Sequence, residues 1–432
     1  MNLGVGQNVK FDRIITNVGS AYNEHVGAFA APVSGVYVFM STLLSNQGHN
    51  AHFQLVRNGN FICNMYAGGV GAYGGGNYDT SAGSFVLYLN KGDAIAIHNQ
   101  DPGENLYGYD QSYFSGFLLK EWERDSKIYT VGTRHTGTDV VAFFATLSNN
   151  VMNLGVGQNV KFDRIITNVG SAYNEHVGAF AAPVSGVYVF MSTLLSNQGH
   201  NAHFQLFRNG NFICNMYAGG VGAYGGGNYD TSAGSFVLYL NKGDAIAIHN
   251  RDPGENLYGY DQSYFSGFLL KEWEQDSKIY TVGTRHTGTD VVAFFATLGN
   301  NVMNLGVGQN VKFDQIITNV GSAYNEHVGA FAAPVSGVYV FMSTLLSNQG
   351  HNAHFQLVRN GNFICNMYAG GVGAYGGGNY DTSAGSFVLC LNKGDAISIH
   401  NRDPGENLYG YYQSYFSGFL LKEWEQDLSI VG

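Results

Sequence analysis

The sequence predicts an all-β chain built from three copies of one antiparallel sandwich or jelly-roll domain. Three observations carry this. The body repeats: residues 1–123 recur as 152–274 and as 303–425, at a fixed period of 151. That period exceeds the roughly 20–50 residues of a solenoid unit and suffices for a domain with its own core. The composition is rich in Gly (60), Tyr (29) and Phe (29), as expected of short strands joined by tight turns. The apolar runs are short or alternate with period two, and helix signals are nearly absent.

The strands can be justified in order within the first copy. Gly35-Val36-Tyr37-Val38-Phe39-Met40, running on into Ser41-Thr42-Leu43-Leu44, is β-branched, aromatic and almost continuously apolar, which predicts a strand covered on both faces. His52-Phe53-Gln54-Leu55-Val56 alternates and leads through Arg57-Asn58-Gly59-Asn60 into Phe61-Ile62-Cys63-Asn64-Met65. Asn-Gly between two such runs predicts a hairpin, because both turn residues must take positive φ. Ser84-Phe85-Val86-Leu87-Tyr88-Leu89 turns at Asn90-Lys91-Gly92-Asp93 into Ala94-Ile95-Ala96-Ile97-His98, and the last strand is Tyr113-Phe114-Ser115-Gly116-Phe117-Leu118-Leu119. A further strand is expected at Val140-Val141-Ala142-Phe143-Phe144-Ala145-Thr146-Leu147 and again at 291–298. The expected division is domain 1 at 1–125, a linker at 126–139, domain 2 at 140–276, a linker at 277–290 and domain 3 at 291–432.

The copies are nearly identical. The second departs from the first at Phe207 and Arg251, and the third at Gln315, Cys390, Ser398, Arg402 and Tyr412. Whatever one copy does is therefore done three times. The net charge is −10 and no Lys/Arg cluster occurs, which argues against nucleic acid or anionic membrane as a partner. No apolar run approaches the ~20 residues of a membrane span, and no signal peptide is visible at the start. The four cysteines, Cys63, Cys214, Cys365 and Cys390, give no intradomain disulfide framework and are expected as small buried hydrophobes.

Val9-Lys10-Phe11 leading to Asn17, then Ala21-Tyr22-Asn23, Gly27-Ala28-Phe29-Ala30-Ala31-Pro32 and Gly35-Val36-Tyr37-Val38-Phe39 run in order through the repeat. Leu89-Asn90-Lys91-Gly92-Asp93 and Phe114-Ser115-Gly116-Phe117-Leu118-Leu119 close it, and Val141-Ala142-Phe143 matches an opening strand. With these motifs each repeat resembles the globular C1q domain of the C1q/TNF superfamily, end to end. The resemblance implies a ten-stranded jelly roll that assembles as a compact trimer, here as an intramolecular pseudo-trimer of fused domains. For a flexible linker the effective concentration is of order millimolar. It also implies a non-enzymatic, extracellular recognition protein. Many such domains in bivalve molluscs look like soluble lectins or pattern-recognition proteins of innate immunity, so glycans or microbial surfaces are the expected partners. Three bodies share two opening strands, leaving a sheet edge in domain 1. A strand borrowed from another molecule, a truncated chain, or strands folding back on the preceding domain each account for this. A higher oligomer through that edge is the structural alternative.

The candidate sites follow. The Gly-rich stretch 68–76 lacks the Gly-Lys-Ser/Thr ending of a phosphate loop. As a binding loop it offers Tyr73, Asn77, Tyr78 and Asp79, repeated as Tyr224, Asn228, Tyr229 and Asp230 and as Tyr375, Asn379, Tyr380 and Asp381: ring faces for sugar stacking and partners for hydroxyls. The loop before the last strand corresponds, by the resemblance, to one that holds calcium at a trimer apex. Asp110, Gln111, Asp261, Gln262 and Gln413 are the expected ligands, with Tyr412 breaking the symmetry. Calcium wants six to eight oxygens. The alternative metal reading takes His49 and His52, His200 and His203, and His351 and His354, a spacing that lacks a third zinc ligand in sequence. It makes the chain a divalent or heavy-metal carrier, as some C1q-like bivalve proteins are. No nucleophile elbow or paired-carboxylate motif points to an enzyme. Trp122, Trp273 and Trp424 are expected to pack over the sheet ends.

Overall fold

The computed structural model describes residues 4–46, 49–68, 79–102, 105–121, 140–197, 200–219, 230–272, 291–348, 351–370 and 380–424. Among them no helix occurs, and the strands form antiparallel sheets throughout. The second repeat shows the complete unit. One five-stranded sheet runs Arg164–Val169, Ala142–Thr146, Tyr264–Glu272, Gly186–Leu195, Thr231–Leu240. The other runs Tyr173–Asn174, Ala179–Ala181, Ala245–Asn250, Asn201–Arg208, Asn211–Gly219. The third repeat reproduces both sheets.

The strand Gly35–Leu44 is buried at all ten positions, and its two faces explain why. Tyr37 and Phe39 pack on Phe29 of the facing sheet, with ring centroids 5.5 and 5.1 Å away, and the Ser41 hydroxyl reaches the Met65 sulfur at 3.1 Å. The alternate face meets another repeat: Thr42 donates its hydroxyl to the carbonyl of Ala384 at 2.7 Å. A strand covered by its own sandwich on one side and by a neighbouring domain on the other carries apolar residues at both parities. The Asn-Gly hairpin is present, with Asn58 at φ 53° and Gly59 at φ 78°.

Contacts between repeats close a ring. Thr193 of the second repeat donates to Ala82 of the first, Thr344 of the third to Ala233 of the second, and Thr42 of the first to Ala384 of the third. Phe117, Phe268 and Phe419, one from each repeat, stand edge to face with each pair of centroids 6.2 Å apart. Ala82, Ala233 and Ala384 form a small apolar cluster of their own. Gly83, Gly234 and Gly385 permit this approach: a Cβ on Gly83 would come within 2.9 Å of the Tyr264 hydroxyl.

The first repeat differs from the other two. Ala142–Thr146 pairs with Tyr264–Glu272 and Arg164–Val169, so it is laid into the second repeat, and Ala293–Thr297 likewise lies in the third. Neither folds back on the preceding domain. Among the described residues the corresponding sheet of the first repeat holds three strands, Thr80–Leu89, Gly35–Leu44 and Tyr113–Glu121, and residues 13–18 form no strand there. Cys63, Cys214 and Cys365 are buried, Cys390 is half-buried, and burial pushes the Cys63 thiol up. Trp424 is 40% exposed rather than packed down, whereas Trp122 and Trp273, like the linkers 126–139 and 277–290, lie outside the described residues.

Candidate functional site

Asp79, Asp230 and Asp381 come together from three repeats. Each occupies the position before a long strand that contributes to the seams, Thr80–Leu89 and its counterparts. Ser45 holds the first of them on both sides: the Asp79 N–H donates to the Ser45 hydroxyl at 3.0 Å, and the Ser45 N–H donates to the Asp79 carbonyl at 2.9 Å. The carboxylate accepts the N–H of Thr80 at 2.8 Å. The Thr80 hydroxyl then crosses the seam to the carbonyl of Tyr368. Ser196 and Ser347 repeat the arrangement for Asp230 and Asp381. The result is one carboxylate oxygen from each repeat, all within 4.8 Å of one another and all on residues only 8% exposed.

The sequence reading counts these three residues among hydroxyl partners for a sugar. They are buried where the repeats meet. An oxygen-only set of three carboxyl groups suits a hard cation such as calcium or magnesium rather than zinc. Tyr380 is also drawn into a seam: its ring stands edge-on to Tyr217 of the second repeat at 5.6 Å and to Tyr409 at 5.0 Å. Tyr73, Asn77, Tyr78, Tyr224, Asn228, Tyr229, Tyr375 and Asn379 lie outside the described residues.

The loop before the last strand does something other than gather inward-pointing acids. Asp110 pairs with Arg13 at 2.6 Å, and its carbonyl accepts the N–H of Asn366 in the third repeat. Asp261 is bound by Arg164 and by the Thr146 hydroxyl, and its carbonyl accepts from Asn64 in the first repeat. The two acids therefore serve different seams, each neutralised by an arginine of its own repeat. Gln111 is buried, with its amide 3.4 Å from the His354 ring across a seam; Gln262 is half-buried; Gln413 is buried with its carbonyl oxygen unpartnered. In the third repeat Gln315 and Tyr412 replace both members of the ion pair. Gln315 bonds Asp314, Tyr412 meets Phe212 edge-on at 5.7 Å, and the Thr297 hydroxyl is left buried without a partner.

The paired histidines do not act as pairs. His200 faces Asn256 and His351 faces Asn407, while His203 and His354 turn to Asp252 and Asp403 at 2.9 and 3.0 Å. His52 does the same with Asp101 at 2.7 Å, and His49 is exposed. His203, Asp252 and Glu255 can bring three ligand atoms together. Burial pushes the Glu255 carboxyl up to about 7, against the pull of the His203 N–H and aided by Asp252. Burial, then the Arg251 cation, holds His203 below the usual imidazole value despite Asp252. In the third repeat the Arg402 guanidinium lies 2.9 Å from His354 Nε2. A guanidinium beside the ring opposes a second cation there. That makes the carboxylate triad the better metal candidate.

A family model of the C1q domain matches residues 2–119, 142–270 and 293–421. Complement C1q tumor necrosis factor-related protein 3 of Homo sapiens is 34% identical over 135 residues, 31% of this chain and 52% of that protein. Heavy metal-binding protein HIP of Mytilus edulis is 29% identical over 132 residues, 30% of this chain and 60% of that protein. The chain thus spans between half and two thirds of the length of these curated relatives. Among solved structures, the globular domain of zebrafish complement 1qA protein is similar over 31% of this chain and 99% of its own, at 20% identity and a TM-score of 0.27. Eiger TNF from S. frugiperda is similar over 33% and 98%, at 13% identity and a TM-score of 0.28.

Proposed function

The chain belongs to the C1q domain family, and on that premise we propose that it is a non-enzymatic extracellular recognition protein whose three domains work as one trivalent pseudo-trimer. Its ligands in this reading are glycans of microbial surfaces, bound through segments 69–78, 220–229 and 371–379. The observation that supports it most is the convergence of Asp79, Asp230 and Asp381 within 4.8 Å. Asp79 and Asp230 directly follow the first two segments in sequence and Asp381 lies one residue beyond the third, so described residues next to all three segments converge. Three near-identical sites in one molecule give avidity for a repetitive surface without any new contact. The test is a glycan array read with the intact chain and with a variant carrying Tyr73→Ala, Tyr224→Ala and Tyr375→Ala. Binding by the first and loss in the second is expected; equal binding by both would remove the segments from the reading.

The second reading is divalent-cation binding, with the mussel relative's name as its companion and the carboxylate triad as its specific observation. Three carboxylates this close in a water-poor place repel one another, and a cation among them would relieve that repulsion. A calcium ion would take one oxygen from each of Asp79, Asp230 and Asp381 and add positive charge at the centre of the three repeats. Running the same array in calcium and in EDTA separates the two readings. Glycan binding lost in EDTA joins them; metal retained after desalting with a blank array leaves the cation alone.

A further inference from the structure

We infer that the turn before the last strand of the second and third repeats is a saccharide-binding site, in which the exposed ring of Tyr260 or Tyr411 stacks on the apolar face of a pyranose and neighbouring amides take its hydroxyls. The site rests on the glycan reading proposed above and lies outside segments 69–78, 220–229 and 371–379. Its first mark is backbone strain. Tyr260 and Asp261 take φ 52° and 61°, and Tyr411 and Tyr412 take 50° and 62°. Two successive non-glycine residues in the left-handed region, the first with a bulky ring, are sterically disfavoured. Such strain collects at ligand sites and persists only where the surroundings over-determine it.

Here the surroundings grip the turn from both sides. Across the seam the Asn64 side chain donates to the Tyr260 carbonyl at 3.1 Å, and the Asn64 N–H to the Asp261 carbonyl at 3.2 Å. Asn215 does the same for Tyr411 and Tyr412 at 2.9 and 3.1 Å. These carboxamides are themselves oriented, because Gln54 donates to the Asn64 oxygen at 3.2 Å and Gln205 to that of Asn215 at 2.9 Å. From its own repeat the turn is tied by the Gly259 N–H to the Asn150 side chain and by the Asp261 N–H to the Leu147 carbonyl, both at 2.9 Å. Asn301 and Leu298 repeat these two bonds for Gly410 and Tyr412.

The ring aimed by this scaffold stays in solvent: Tyr260 is 54% and Tyr411 52% exposed. Each leans on a half-buried partner, Tyr258 or Tyr409, with centroids 5.5 and 5.4 Å apart, so the surface presents paired rings. Asn149 and Asn150 beside the turn are exposed, and they also line a cavity of about 300 Å³ together with Val151, Gln158, Lys161 and Asp163. The same residue types recur at Asn300, Asn301, Val302, Gln309, Lys312 and Asp314. A pyranose carries C–H groups on its faces and hydroxyls around its rim. A fixed aromatic face next to a small cleft rich in amides matches both.

Saturation-transfer difference NMR tests this with the full chain and the methyl β-pyranosides of glucose, galactose, mannose and N-acetylglucosamine. At least one should receive saturation, strongest at the ring protons of one face. Tyr109, at φ 52° in the equivalent turn of the first repeat, is changed with the other two. The variant Tyr109→Gly, Tyr260→Gly, Tyr411→Gly should lose the signal by about fivefold or more. Its thermal midpoint should not fall, since glycine takes positive φ without strain. The corresponding triple Tyr→Phe variant, which keeps the ring face, should retain most of the signal. No signal from any of the four sugars, an equal signal from the glycine variant, or a glycine variant that melts well below the intact chain would overturn the inference. Array binding that survives the glycine variant but not Tyr73→Ala, Tyr224→Ala and Tyr375→Ala would overturn this site alone and leave the glycan reading standing. The reverse pattern would support it.

Discussion

Phe144 of the second repeat stands edge-on against Phe85 of the first, ring centroids 5.8 Å apart, so the strand that completes one sandwich also completes the seam to its neighbour. Both rings are fully buried. Phe144→Ala therefore removes core and seam packing together, and a loss of about 3–5 kcal/mol is expected from truncating a buried phenylalanine. Urea unfolding measures it. A loss below about 1 kcal/mol would show that the seam repacks freely.

The carboxylate triad predicts a cation-dependent melting point. Calcium should raise the midpoint of the intact chain, and the triple variant Asp79→Asn, Asp230→Asn, Asp381→Asn should lose that response. In EDTA the variant should melt higher than the intact chain, since like-charge repulsion is gone. An unchanged calcium shift in the variant would move the cation elsewhere.

Glu255 and Glu406 predict a pH dependence of stability. Both carboxyls are pushed up to about 7 from 4.5, chiefly by burial. A raised carboxyl contributes stability that is present below its unfolded value of about 4.5 and is lost as pH rises through about 7. His203 and His354 are lowered, again chiefly by burial, so their contribution is present above 6.5 and is lost as pH falls below it. Replacing both glutamates by glutamine should abolish the decline between pH 5 and 7 and leave the histidine trend of opposite sign. Urea midpoints across pH 5–8 decide this.

Gly234 predicts a steric limit. A Cβ there meets the Tyr415 hydroxyl at 2.9 Å and the ring of Phe236 at 2.2 Å. Gly234→Val should cost about 1–3 kcal/mol through overpacking of the seam, measurable as an earlier unfolding midpoint with the strands intact by circular dichroism.

Gln315 and Tyr412 predict a coupling. The third repeat has lost both Arg and Asp of the pair seen at Arg164 and Asp261. Tyr412→Asp alone would place a carboxylate beside Thr297 without its arginine and should destabilise the chain; adding Gln315→Arg should recover much of the loss. A double-mutant cycle reads the coupling, and strictly additive effects would show that the two positions are independent.

Much of this was legible along the chain. The buried ten-residue strand, the Asn58-Gly59 turn and the burial of Cys63 follow from apolar pattern and turn chemistry, which act within a few residues. The candidate sites were less legible. Asp110 and Asp261 had the right residue type for calcium, but Arg13 and Arg164, nearly a hundred residues upstream, neutralise them. His200 and His203 share a spacing yet face different partners, because His200 precedes the strand Asn201–Arg208 that carries His203. The signal for the paired change at Gln315 and Tyr412 was present in the differences between copies, and its meaning needed the contact.

By itself the sequence determined the repeat, the strands, their turns and the faces they bury, since each depends on local periodicity and on φ preferences. Only the tertiary structure decided that Ala142–Thr146 belongs to the second repeat and that Asp79, Asp230 and Asp381 converge. Those facts depend on packing between segments about 120–300 residues apart. Near-identical copies carry no local mark of which neighbour each will face.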